Sequence, residues 1–167
     1  FRADFSVIPW ATFTETELER VGLNETDAKA QGVEYEVTTY GIDDLDRAIA
    51  DEADEGWVKV LTVPGKDKIL GATIVGDHAG DLIIEFILAM RHGLGLNKIL
   101  GTIHIYPTWA EASKYAAGNW KRAHAPQKLL ERGLGRRDEA LRQPRRRNAA
   151  ERVTVEAGVL RRDPAPV

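Results

Sequence analysis

Few residues of this 167-residue sequence have the type and spacing to do chemistry, and the most informative set is one string, His104-Ile105-Tyr106-Pro107-Thr108-Trp109-Ala110-Glu111. By spacing alone, Thr108 with Glu111 three residues on is a capping box, the reciprocal pairing that starts a helix, and Pro107 just before it is ordinary punctuation. Other chemistries lack their residues. With no cysteine there is no thiolate metal site, cysteine nucleophile, dithiol redox pair or disulfide framework. No Gly-x-Gly-x-x-Gly or phosphate-binding Gly-Lys-Ser/Thr occurs, and the run Gly93-Leu94-Gly95 meets Lys98 where a glycine would be needed. His78, His92, His104 and His124 do not fall at zinc-protease spacing, so each is expected at the surface or at a helix end.

The elements that must carry this string read as follows. Residues 5–13 are apolar, β-branched or aromatic around Pro9, which fits an edge strand. Glu15 to Gly22 has no decisive pattern. Asn24, with Asp27 three residues later and Gly32 beyond, predicts a short helix over Glu25–Gln31. Val33 to Tyr40 alternates as a strand, and Leu45, Ala48 and Ile49 recur at helical spacing within an acidic stretch. Residues 57–63 and 69–75, joined by Pro64-Gly65-Lys66-Asp67-Lys68, predict an antiparallel hairpin, with Gly71 marking a bulge or a close backbone approach. A helix is expected from Asp81 to His92, ended by Gly93 and apolar on nearly every side, hence covered from two directions. Another runs from Trp109 to about Ala123. Strands interspersed with helices and joined by a hairpin give an α+β fold with an antiparallel β-sheet.

Charge divides the chain. Residues 1–124 hold 12 Lys+Arg against 20 Asp+Glu, a balance of −8, whereas residues 125–167 hold 11 against 6, a balance of +5. Two parts are expected: an acidic body, 1–124, and a basic C-terminal tail, 125–167, partly helical or disordered. Without aromatic residues after Trp120 the tail lacks stacking platforms for nucleic acid, although its cations could neutralise phosphates or an acidic partner. The longest apolar stretch, Leu82 to Met90, is too short to span a bilayer and no basic-then-apolar leader is visible, so a cytoplasmic location is expected. The first residue is Phe1, as in a segment cut from something longer.

Taken in order, the pieces resemble the C-terminal interface domain of the FAD-dependent pyridine nucleotide–disulfide oxidoreductases, including dihydrolipoamide dehydrogenase, glutathione reductase and mercuric reductase. The resemblance covers about residues 6–124. Ile8-Pro9-Trp10-Ala11-Thr12-Phe13-Thr14 is similar to the family's first strand, and Glu17 through Val21-Gly22-Leu23 to its Pro-Glu-x-Ala-x-Val-Gly element. Gly56-Trp57-Val58-Lys59-Val60, Ile69-Leu70-Gly71-Ala72 and Ile74-Val75-Gly76 resemble its hairpin, and Ala79 to Met90 its long interface helix. Tyr106-Pro107-Thr108 with Glu111 falls on its His-Pro-Thr-x-x-Glu.

The resemblance implies a homodimerisation domain whose Tyr106 segment completes the partner subunit's flavin site in an FAD- and NAD(P)-dependent oxidoreductase. Tyr106 takes the acid/base position, Glu111 the orienting one, and Tyr106 and Pro107 the position beside the flavin. FAD and NAD(P) would belong to the parent enzyme, with none bound to this chain alone, which would be inactive as a fragment. Two departures stand out: Thr16 replaces the family's proline, and Tyr106 replaces its histidine, exchanging a group of pKa about 6.5 for one of about 10. The C-terminal cysteine pair of mercuric reductases is missing. Other readings of the sequence are a stand-alone dimeric interaction module, or binding of nucleic acid or an acidic partner through the Arg-rich tail.

Overall fold

A computed structural model describes residues 7–126. The basic tail expected beyond 124 lies, from residue 127, outside the described residues, as do residues 5 and 6 of the first strand.

The chain runs β1 (Pro9–Thr12), β2 (Leu18–Gly22), α1 (Glu25–Ala30), β3 (Glu36–Gly41), a 3-10 turn (Ile42–Asp44), α2 (Asp46–Ala50), β4 (Gly56–Thr62), β5 (Ile69–Gly76), α3 (Ala79–Arg91), α4 (Leu96–Gly101) and α5 (Glu111–Ala123). The strands form one sheet in the order β1-β2-β5-β4-β3, antiparallel throughout. The fold is thus α+β, with α3 and α5 on one sheet face. Strand alternation selects that face: Val21, Ala72, Ile74, Val58 and Val60 are all buried and join Phe86, Ile83, Ala116 and Trp120 in the core. The central hairpin of β4 and β5 forms in the expected place. Gly71 lies opposite Gly22, and a Cβ there would stand 2.0 Å from the Leu23 carbonyl oxygen. Only glycine permits that approach.

Local signals fix α1. The Asn24 side chain accepts from the Asp27 backbone N–H at 2.7 Å, and Gly32, with φ +65, follows the helix end. Replacing Asn24 with alanine removes this cap and is expected to cost about 1 kcal/mol, read by urea denaturation.

Several boundaries differ from expectation. The untyped stretch after Glu15 becomes β2, paired between β1 and β5; its pattern was hard to read because Glu19 turns into the core beside Val21 and breaks the apolar alternation. Helix α3 begins at Ala79, two residues early, after His78 in the left-handed region (φ +61). Helix α5 begins at Glu111 rather than Trp109. The sequence reading missed α4 altogether; only Leu96 and Ile99 of its six residues are buried. Helix α3 buries Ala79, Leu82, Ile83, Phe86 and Ala89, while Ile84 and Leu88 stay 59% and 56% exposed on its outer face. No helix among the described residues is long and apolar enough to cross a membrane.

Candidate functional site

Between α4 and α5 the chain leaves regular structure, and side chains rather than a backbone ladder hold it. Thr102 Oγ1 donates to the Lys98 carbonyl at 2.9 Å, and Thr108 Oγ1 to the Ile105 carbonyl at 2.6 Å. The other tethers end on four carboxylates from three regions of the chain. His104 Nε2 lies 3.0 Å from Glu85 Oε1 on α3, while its Nδ1 lies 3.0 Å from the Thr102 carbonyl. The Tyr106 hydroxyl donates to Asp46 Oδ2 at 2.8 Å, and Trp109 Nε1 to Asp51 Oδ2 at 3.0 Å. The Thr108 backbone N–H donates to Glu111 Oε2 at 3.3 Å. So held, the segment turns Ile103, Ile105 and Tyr106 outward, 95%, 78% and 64% exposed, together with Pro107.

The two residues singled out from sequence do not meet. Glu111 is buried, and its second oxygen accepts from the Tyr115 hydroxyl at 3.3 Å. Tyr106 turns instead to Asp46. The capping box is half formed: Glu111 takes the Thr108 N–H, but the Thr108 hydroxyl points back to Ile105 and Ala110 precedes the helix without a side-chain cap. The expectation that every histidine is a surface or helix-end residue fails at His104, whose side chain is 5% exposed against Glu85.

The electrostatics follow these contacts. The hydrogen bond to Asp46, then that carboxylate's charge, raises Tyr106 above the ordinary phenol range; Glu111 and Tyr115 add smaller effects of the same sign. Tyr106 therefore stays protonated at neutral pH, a hydrogen-bond donor rather than a base. Burial first, and Glu111 second, raises Tyr115 as well. The hydrogen bond from Arg47 lowers Asp51, and the Trp109 N–H adds to it. Asp46, Asp51 and Glu85 were missed from sequence, where the acidic stretch around α2 reads as a solvated face.

A groove of about 450 Å³ opens on the other face of the sheet, between Trp57, Lys59 and Thr73 of the strands and Glu25, Thr26 and Lys29 of α1. Two of its cations are already neutralised, Arg20 by Asp27 at 3.1 Å and Lys59 by Glu25 at 2.8 Å. No group of three or more His, Asp or Glu among the described residues is arranged to hold a metal ion.

Comparisons with known proteins bear on the family and the fold. The profile of the pyridine nucleotide-disulphide oxidoreductase dimerisation domain matches residues 8–117. A dihydrolipoyl dehydrogenase of Halobacterium salinarum is 40% identical over 114 residues, 68% of this chain and 24% of that protein. A dihydrolipoamide dehydrogenase of Chaetomium thermophilum is 39% identical over 114 residues, 68% of this chain and 23% of that one. The chain thus spans about a quarter of the length of these relatives. Among solved structures, LpdA from Mycobacterium tuberculosis superimposes with a TM-score of 0.63 at 22% identity, over 68% of this chain and 25% of its own. The HOCl-induced flavoprotein disulfide reductase RclA from Escherichia coli gives 0.63 at 22% identity, over 68% and 26%. The match of that family model over residues 8–117, on a five-stranded antiparallel sheet with helices, makes this chain a member of the pyridine nucleotide-disulphide oxidoreductase dimerisation-domain family.

Proposed function

We propose that this chain pairs with a second copy of itself, and that the Tyr106 segment of each protomer forms one rim of the flavin site in its partner. The observation that carries this reading is the adjacency of two exposed features. One is the apolar outer face of α3 at Ile84 and Leu88; the other is the outward-turned Tyr106 and Pro107, tied to α3 through His104 and Glu85. The parent would be an FAD- and NAD(P)-dependent oxidoreductase. The basic residues 125–167 would form a separate appendage, and the chain alone would turn nothing over.

The residues present suit a rim and not a whole cofactor site. Tyr106 offers one protonated hydroxyl and Pro107 a short stretch of exposed backbone, enough to border a planar ring. Diphosphate binding needs a cluster of convergent backbone N–H groups, and the segment has nothing of that kind. FAD, bound by the remainder of the parent, would supply hydride and electron transfer. Tyr106, its one hydroxyl proton given to Asp46, would offer its oxygen as an acceptor at the edge of that site, and Glu111 would hold the first turn of α5 through Thr108 and Tyr115.

The test is turnover of the full-length flavoprotein carrying Tyr106→Phe or Glu111→Gln. Tyr106→Phe is expected to lower kcat about tenfold with KM for NAD(P)H unchanged, the loss of one charge-assisted hydrogen bond. Glu111→Gln keeps one acceptor, its amide oxygen, for the Thr108 N–H, while its NH2 can donate to the Tyr115 hydroxyl oxygen, and is expected to change kcat by less than about threefold. Wild-type rates in both variants would reduce the segment to an interface element.

A further inference from the structure

Helix α2 is five residues long, belongs to the connection from β3 to β4 and has no side-chain cap, yet carboxylates at both its ends are committed to the Tyr106 segment. Asp46, its first residue, accepts from the Tyr106 hydroxyl at 2.8 Å. Asp51, just past its last residue, accepts from Trp109 Nε1 at 3.0 Å and from Arg47 Nε at 2.7 Å through the same oxygen. Arg47 holds Asp51 in place across one helical turn, and His78 lies against the Trp109 ring, 4.9 Å between centroids. The segment is therefore gripped on both sides of Pro107 by one helix. The acceptor that the motif itself contains, Glu111, is buried and occupied by Thr108 and Tyr115.

We propose that Asp46 and Asp51 are positioning residues, Asp46 aiming the Tyr106 hydroxyl and Asp51 anchoring Trp109, so that α2 sets where Tyr106 stands at the partner's flavin site. The last step rests on the function proposed above; the aiming itself does not. Tyr106 is faced by Asp46, Glu111 and Tyr115. Of these only Asp46 shares its hydroxyl proton, so Asp46 governs both where the ring points and how firmly the proton is held.

Tyrosinate absorbance of the 167-residue chain, titrated upward in pH, tests the aiming. Subtracting the Tyr106→Phe curve isolates Tyr106 from Tyr35, Tyr40 and Tyr115. In Asp46→Asn and Asp46→Ala the Tyr106 ionisation moves to lower pH, and by more than in Glu111→Gln, which removes a charge without touching the bond. A Tyr106 midpoint unmoved by either Asp46 variant, or moved no further than by Glu111→Gln, overturns the proposal. In the full-length flavoprotein, Asp46→Ala lowers kcat about tenfold at constant KM, and Asp46→Asn, whose side-chain carbonyl still accepts, recovers part of it. If the titration shifts as expected while Tyr106→Phe leaves turnover intact, the aiming stands and the flavin-rim reading falls.

Discussion

Replacing Ile84 and Leu88 together with glutamate is expected to convert the chain from a dimer to a monomer at tens of micromolar. Both side chains stand on the outer face of α3, and more than half of each is exposed. A cleft of about 180 Å³ beside Leu88, bordered by Leu94, Ile99 and Thr102, continues the apolar surface, and the Glu85–His104 contact ties the segment that carries the exposed Ile103 and Ile105 to α3. Burial stabilises by about 25 cal/mol per Å² of apolar surface, so a face of this kind favours association. A two-fold axis doubles every substitution. The double variant would bury four carboxylates in an apolar contact, and each unpaired buried charge costs several kcal/mol. Dissociation should rise at least about 100-fold. Sedimentation velocity reads the mass. Circular dichroism should stay unchanged, because neither residue belongs to the core of its own chain. A wild-type chain that sediments as a monomer would count against the dimer itself.

That face was legible in the sequence, and the reason is physical. A helix whose apolar residues exceed one stripe must be covered twice, and residues 79–91 cannot hide Ile83, Phe86, Ile84 and Leu88 on one side. The β4–β5 hairpin and the Asn24 cap were legible for a related reason: strand alternation, a glycine-containing loop and a cap all act within a few residues. What failed was non-local. Helix α4 is held by its neighbour across the chain, Asp67, whose carbonyl takes the Leu96 N–H at 2.9 Å and whose carboxylate takes the Asn97 side chain at 2.7 Å. Neither contact leaves a periodic trace within six residues. The site divides the same way. Tyr106, Pro107 and Glu111 were visible because they are contiguous, and so was the Thr108–Glu111 contact, but nothing in the sequence signalled that the Tyr106 hydroxyl turns to Asp46. The acceptor for Tyr106 lies 60 residues away, in an acidic run whose members all look alike until the fold selects one of them.

The same selection produces the least comfortable residue in the fold, and its removal is expected to stabilise the chain. Glu19 is 1% exposed on the core side of β2, and neither of its carboxylate oxygens has a hydrogen-bond partner. In the Pro-Glu-x-Ala-x-Val-Gly element that residues 17–22 resemble, this position holds alanine, which needs no partner. Burial, and secondarily the charge of Glu17, raises Glu19 above the ordinary carboxylate range. Glu17 itself accepts from the Gly80 N–H at 3.1 Å, so it offers repulsion and no proton. The sign of the pH dependence follows. In acid, below the unfolded value of about 4.3, Glu19 is neutral in both states and costs only its unmade hydrogen bonds. As pH rises, the unfolded chain ionises first while the folded chain holds its proton, and stability falls until the folded group also ionises. Glu25 and Asp51, both lowered by cationic partners, run the other way and lose stability as pH falls, so the wild-type curve alone would mask the effect. The comparison is with Glu19→Met, similar in volume and without a polar oxygen. At about pH 8 the variant should be more stable by roughly 1–3 kcal/mol, the cost of an unsatisfied buried polar group. Its advantage should shrink as the pH is lowered through the carboxylate range. Urea denaturation at one fixed protein concentration measures both. An advantage independent of pH would mean that Glu19 keeps its ordinary ionisation, and a loss of stability in Glu19→Met at every pH would mean that a partner for the carboxylate exists.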